Sequence, residues 1–323
     1  LIDGICQNNF VIVGRAGIDF FTDAGVAVED AEKMTVDLGG SSANIGTGIC
    51  KLGGKAALVT RVSDDSIGSY CINRLQHYGV DTTHVGKVGG EYRNSLAVYE
   101  SVVEGHRNVI YRNGAADFQM NEDDVTAVDY GRFGALITAG TVFAAEPSRS
   151  ATFQSFELAK AAGLPIIFDV DYRPYSWPSA QVASDVLTRA AMECDMIVGN
   201  DEEFGFIAGD YDKGLDKARS LSEGMVEIVI YKMGSEGAIT FSGGKEIRTG
   251  IYPVDALKPT GAGDSFMAGL MTSLADGHDL ETAILRGSAC ASITVSRPGC
   301  APAMADTETL ESFLADHPGP TTA

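Results

Sequence analysis

The sequence predicts an α/β fold, an αβα sandwich around a mainly parallel central sheet with a small β-sheet lid, on three observations. Short apolar runs alternate with helical patterns over most of the 323 residues. That rhythm belongs to βαβ units, which bury both faces of a sheet. Two stretches, residues 25–37 and 92–112, break it. They are rich in Val, Tyr and Ile, and within 94–103 (NSLAVYESVV) the apolar period is near two, as in a half-covered strand. Finally, no linker-like shift in composition divides the chain. Residues 1–323 are therefore expected to form one domain, with lid segments at about 15–37 and 91–113.

In chain order, residues 10–13 read as a strand and 44–52 as a helix with small residues on one side. Residues 56–61 (AALVTR) form a strand, and 66–78 a helix that Gly79 ends. Residues 135–139, 166–169, 196–199 and 226–231 read as buried strands, with helices at 150–162 and 181–191 between them. Beyond Pro259 the pattern turns helical, over 265–274 and 280–294.

Composition narrows the function. Hydrophobic residues make up 45% of the chain, enough for a full core. With 44 acidic against 24 basic residues, the net charge is −20. Such a field repels nucleic acid and anionic membranes, so neither is an expected partner. It also repels ATP, so a nucleotide site here must rely on backbone dipoles, a metal or a few placed cations. The six cysteines, at 6, 50, 71, 194, 290 and 300, form no CxxC pair, which fits reduced core thiols and a cytoplasmic protein. No basic region followed by a long apolar stretch opens the sequence, and no run approaches membrane-spanning length.

The chemistry concentrates at Thr260, Gly261, Ala262, Gly263 and Asp264, just before the helix expected from 265. Small residues let successive N–H groups converge on an anion, and a helix N-terminus adds its positive end. A carboxylate there would repel a phosphate if binding were its only task. It makes sense as the base that takes a proton from a hydroxyl poised in line with a γ-phosphoryl group. A glycine-rich turn also caps ordinary helices, and Asp264 would then be a first-turn residue. The Walker pattern and HExxH are absent, and GxGxxG fails because Phe266 stands at its last glycine.

On these residues the chain resembles the pfkB/ribokinase family of carbohydrate kinases, over nearly its whole length. The segment from Lys258 through Asp264 to Gly269 (KPTGAGDSFMAG) matches the family's C-terminal signature. Gly39, Gly40, Ser41, Ser42, Ala43 and Asn44 (GGSSAN) match the N-terminal one, with Ser42 where Gly, Ala or Pro is usual. The resemblance implies a ribokinase-like fold, ATP and Mg2+ as cofactors, and a lid-mediated homodimer by analogy alone. It implies that Asp19, Gly39, Gly40 and Asn44 receive the sugar beside Asp264. Asn200 and Glu203 match the NxxE motif of the magnesium–phosphate region. Lys232, Gly234, Ser235 and Gly237 match the loop beside the nucleotide, with Gly261 and Gly263 at its phosphates. Residues 289–293, Cys290 among them, would wall the adenine slot.

Further strings, GRAGID at 14–19, YRNGAAD at 111–117, DVDYRPYSW at 169–177 and VGNDEEF at 198–204, resemble the kinases of 5-dehydro-2-deoxygluconate in inositol catabolism. Similar segments occur in 2-keto-3-deoxygluconate kinases and fructokinases, which stay open as alternatives. So does a binding regulator without catalysis, although its mark would be a replaced base or a broken anion loop. A sugar acid entering so acidic a chain needs a guanidinium to hold its carboxylate. Arg112 and Arg173 are the first candidates and Arg15 the third. Lys258 departs from the family, where Asp is common and the segment helps ribokinases hold a monovalent cation. Its ammonium either fills similar electrostatic space or faces solvent.

Overall fold

The fold is given by a computed structural model that describes residues 5, 7–100, 108–317, 319 and 320. Cys6 and residues 101–107, which include the end of the alternating stretch 94–103, lie outside the described residues. Thirteen strands are found among the described residues. These are β1 (Asn9–Val13), β2 (Gly17–Phe21), β3 (Thr35–Gly39), β4 (Lys55–Ser63), β5 (Val85–Val88), β6 (Leu96–Tyr99) and β7 (Asn108–Tyr111). They continue as β8 (Ala135–Ala139), β9 (Ile166–Asp169), β10 (Met196–Asn200), β11 (Ile228–Lys232), β12 (Ala238–Ser242) and β13 (Lys245–Thr249). The helices are α1 (Ser41–Lys51), α2 (Ser66–His77), α3 (Glu122–Thr126), α4 (Ser148–Ala161) and α5 (Ala180–Met192). After them come α6 (Asp201–Ala208), α7 (Gly214–Ser222), α8 (Ala262–Ala275), α9 (Leu280–Val295) and α10 (Thr307–Asp316).

Nine strands form one sheet in the order β13-β12-β11-β10-β9-β8-β1-β4-β5. All pairs from β11 to β5 are parallel. Their apolar runs are nearly continuous because alternate residues feed two cores. Phe10 and Ile12 of β1 face the cluster with α1, α8 and α9, whereas Val11 and Val13 face the one with α4, α5 and α6. The antiparallel pairs β11–β12 and β12–β13 finish one edge. Gly243 and Gly244, both at positive φ, make the two-residue turn between β12 and β13, the backbone a tight hairpin requires.

Strand order reverses at β1: the chain leaves it for β4 on one side and later returns to β8 on the other. Crevices open at such a switch point, beyond the carboxyl ends of the strands. The loops after β1, β8, β9, β10 and β11 converge there. Over that crevice lies the second sheet, in the order β3-β2-β6-β7. Its strands fall within or just beyond the two stretches that break the βαβ rhythm.

Two expectations shift by a turn. The first helix starts at Ser41 rather than 44, and α8 at Ala262 rather than 265. In both, a glycine at positive φ, Gly40 or Gly261, takes the N-cap position, so residues that read as loop already belong to the helix. Among the described residues no helix is long and apolar enough to cross a membrane.

Candidate active site

A cleft of about 1050 Å³ runs between the strand ends and the second sheet. At its centre is the start of α8. Gly261 adopts φ 85°, the left-handed region, and no side chain caps the helix. The N–H groups of Gly263 and Asp264 have no hydrogen-bond partner among the described residues. Two free donors and a helix N-terminus thus face the cleft, an arrangement that suits an anion.

Asp264 stands at the same point. Asn44, from the first turn of α1, donates through Nδ2 to its Oδ2 at 2.8 Å. Burial, then the charge of Asp171, raises the Asp264 carboxyl to about 6, against the pull of the Asn44 hydrogen bond. A raised carboxyl loses its base form as pH falls. We therefore expect kcat/KM to decline below an acidic limb near pH 6, where an ordinary aspartate would place it about two units lower. A pH–rate profile checks this, and a profile flat down to pH 4.5 would contradict it.

The sugar-facing candidates gather beside Asp264. Asp19 on β2, Gly40 at the start of α1 and Asn44 all line the cleft. Asp19 Oδ1 and Asn44 Oδ1 are buried acceptors without partners in the structure. Both await donors, and hydroxyl groups are donors. Gly39 does not line the cleft itself. A Cβ there would lie 2.0 Å from Asp19 Oδ1, so Gly39 makes the space in which that carboxylate sits. The unusual Ser42 is accommodated in the same way, because a Cβ on Gly14 would meet its Oγ at 1.9 Å.

At the other end, Asn200 and Glu203 form a reciprocal capping box at the start of α6. Asn200 Oδ1 accepts from the Glu203 N–H at 2.9 Å, and Glu203 Oε2 from the Asn200 N–H at 2.8 Å. Both line the cleft, with Asp169 and Glu202 nearby. Among the described residues no three such side chains cluster to hold a metal by themselves, so a hard cation such as Mg2+ would be held here through water and the nucleotide's own phosphates. Lys232 ends β11, its ammonium 5.3 Å from the Phe266 ring centroid and beside Gly263. The ammonium makes no hydrogen bond or ion pair among the described residues, which leaves it available to a phosphate.

Gly234, Ser235 and Gly237 line the adjoining part of the cleft, as do Ser288, Ala291, Ser292 and Val295 of α9. Cys290 does not. It is buried on the opposite face of α9, where a Cβ on Gly269 of α8 would come within 2.7 Å of its Sγ. The cleft wall therefore lies on the expected helix but on a different face, one that repeats at i, i+3, i+4 and i+7.

The expected arginines also have partners within the protein. Arg112 and Arg173 line the cleft but are already engaged. Arg112 pairs with Asp117 and donates to the Thr141 carbonyl at 2.8 Å. Arg173 pairs with Asp171 at 2.7 Å and lies 3.8 Å from Glu203 Oε1. Asp169, Asp171, Tyr99 and Thr141, none singled out as site residues from the sequence, line the cleft too. The available signal was position, since Asp169 ends an apolar strand at the crevice and Asp171 follows just beyond it.

Lys258 is not a surface lysine. It is 4% exposed, and its ammonium donates to the carbonyls of Thr260 at 2.8 Å and Thr294 at 3.2 Å. A fixed positive charge thus holds the anion loop to the end of α9. Turnover should accordingly be the same in potassium and sodium at constant ionic strength. Strong activation by potassium would contradict this role.

Against this geometry stand the comparisons with known proteins. A family model described as pfkB family carbohydrate kinase matches residues 7–307. The chain is similar to 5-dehydro-2-deoxygluconokinase of Geobacillus kaustophilus, at 32% identity over 96% of this chain and 94% of that protein. It is 33% identical to the protein of that name from Photobacterium profundum, over 94% of each. Among solved structures it is similar to fructokinase of Xylella fastidiosa with bound ATP. That match has a TM-score of 0.85 at 18% identity and covers 96% of this chain and 99% of the other. A fructokinase double mutant of Vibrio cholerae O395, bound to fructose, ADP and potassium ion, matches at TM-score 0.83 and 23% identity, over 95% and 99%. Such structural likenesses establish the ribokinase-like fold.

Proposed function

We propose a substrate and a set of residue roles on the premise that this chain belongs to the pfkB family of carbohydrate kinases, phosphotransferases that act on sugar hydroxyls. The reaction is transfer of the ATP γ-phosphoryl group to the primary hydroxyl of 5-dehydro-2-deoxygluconate, giving its 6-phosphate and ADP. The observation that carries the chemistry is Asp264 beside two unpaired N–H groups at the N-terminus of α8.

The substrate hydroxyl lies against Asp264, whose carboxylate takes its proton as the new O–P bond forms and the bond to the ADP oxygen breaks. Asn44 holds that carboxylate in place through one oxygen, which leaves the other for the hydroxyl. Charge on the transferring phosphoryl oxygens meets the Gly263 and Asp264 N–H groups, the positive end of α8 and Lys232. These local charges offset a protein field that is unfavourable to ATP. Mg2+, when bound with the nucleotide, neutralises phosphate charge; Asn200, Glu203 and Asp169 would orient it through water. Asp19 and Asn44 bind hydroxyls of the sugar chain, and the second sheet, carrying Asp19 and Tyr99, excludes water as a lid.

The acid substrate is supported by the relatives' name and by three arginines around the sugar end of the cleft. A coupled ADP-release assay with 5-dehydro-2-deoxygluconate, 2-keto-3-deoxygluconate and fructose tests it. The expected result is the highest kcat/KM for the first. A preference for fructose would overturn the acid reading and leave the kinase family untouched.

A further inference from the structure

We infer that Arg15 is the receptor for the substrate's carboxylate and the residue that selects a sugar acid over a neutral sugar, an inference that rests on the acid substrate proposed above. Arg15 follows β1, and its backbone is locked against the start of α1. Its carbonyl accepts from the Ala43 N–H at 3.2 Å, and Gly40 approaches so closely that a Cβ there would sit 2.5 Å from that oxygen. The side chain is 7% exposed, and what is exposed lines the cleft.

Unlike those of Arg112 and Arg173, the guanidinium of Arg15 makes no hydrogen bond and no ion pair within 4 Å among the described residues. A guanidinium carries five donors, and those of Arg15 open onto the cleft rather than onto protein acceptors. None of the carboxylates around it comes within 4 Å of its guanidinium. Asp117 pairs with Arg112 through Oδ2, its buried Oδ1 having no partner, and Asp171 pairs with Arg173 and accepts from the Thr141 hydroxyl. Asp19 acts on it only through space, and Asp19 Oδ1 is itself without a partner.

An unsatisfied cation and an unsatisfied acceptor therefore share one end of the cleft, too far apart to pair. A ligand that bridges them carries an anion for Arg15 and a hydroxyl donor for Asp19. A hydroxy acid has both, and the planar fork of Arg15 matches a carboxylate in two parallel hydrogen bonds. A neutral ketose would satisfy Asp19 and leave the charge of Arg15 without an anion beside it.

The experiment measures kcat and KM of the parent, Arg15→Gln and Arg15→Lys with 5-dehydro-2-deoxygluconate and with fructose. Where fructose is not turned over, its inhibition constant replaces KM. Arg15→Gln should raise KM for the acid about 30-fold or more at little cost to kcat, and change the fructose constant less than about twofold. Arg15→Lys, which keeps the charge and loses the fork, should fall between. It also carries the test if Arg15→Gln does not fold. An acid KM within about threefold of the parent in the folded variants, or an equal rise on both sugars, overturns the role of Arg15. A parent that does not use the acid at all overturns the substrate reading itself, and the two failures are told apart by the parent's own assay.

Discussion

Asp264→Asn should lower kcat by ~10²–10⁴ while the fold and the affinity for ATP survive. The amide keeps the shape of the carboxyl and still offers an oxygen to Asn44 Nδ2, which lies 2.8 Å from Oδ2 in the parent. What it loses is the capacity to accept a proton as the transition state develops, and a protonated hydroxyl is a poor nucleophile. Binding of ATP should hold or tighten slightly, because a negative charge beside the γ-phosphate is gone. The acidic limb expected near pH 6 from the burial of Asp264 should vanish with it. A variant that keeps that limb would assign it to another group, with Asp19, which burial raises to about 7, the first to examine.

Gly261→Val should fail differently, losing nucleotide affinity together with turnover. Gly261 sits at φ 85°, and a Cβ there would already lie 3.3 Å from Cys300 Sγ and from Thr294 Cγ2. Valine adds two methyl groups to that space and disfavours the left-handed backbone, a strain of about 1–3 kcal/mol. The turn that aims the Gly263 and Asp264 N–H groups would then open or tilt. Removing one such donor typically costs ~10²–10³ in rate, and here both depend on the same turn. Calorimetric titration of ATP and a thermal melt, beside kcat, separate this outcome from that of Asp264→Asn. Parent-like ATP affinity and kcat in Gly261→Val would mean that the loop does not bind the phosphates.

The buried parallel strands and the anion loop are legible in the sequence because each depends on local chemistry. A strand covered on both faces must be apolar throughout, as 166–169 is. The loop must be small enough to expose its N–H groups. What escapes is set by tertiary context. β5, short and half-buried, carries too little apolar signal, and the β12–β13 hairpin goes unread although Gly243 and Gly244 mark its turn. Cys290 is misplaced because an apolar run does not show which of its faces meets a cleft and which meets α8. The partners of the arginines escape for a similar reason. Arg112 and Arg173 stand near Asp117 and Asp171 in sequence, and those carboxylates consume them. Arg15 stands as near to Asp19 in sequence but makes no ion pair with it, a fact visible only once the surroundings are assembled.

The central claim is that this chain moves the γ-phosphoryl group of ATP onto the primary hydroxyl of a sugar acid. Its most direct test is to incubate the purified protein with Mg2+, ATP and 5-dehydro-2-deoxygluconate and follow the phosphorus by NMR. The account predicts one ADP for each phosphomonoester formed, with the phosphate coupled to the C6 protons. ADP that appears only with inorganic phosphate, or no ADP above the sugar-free background, would contradict it.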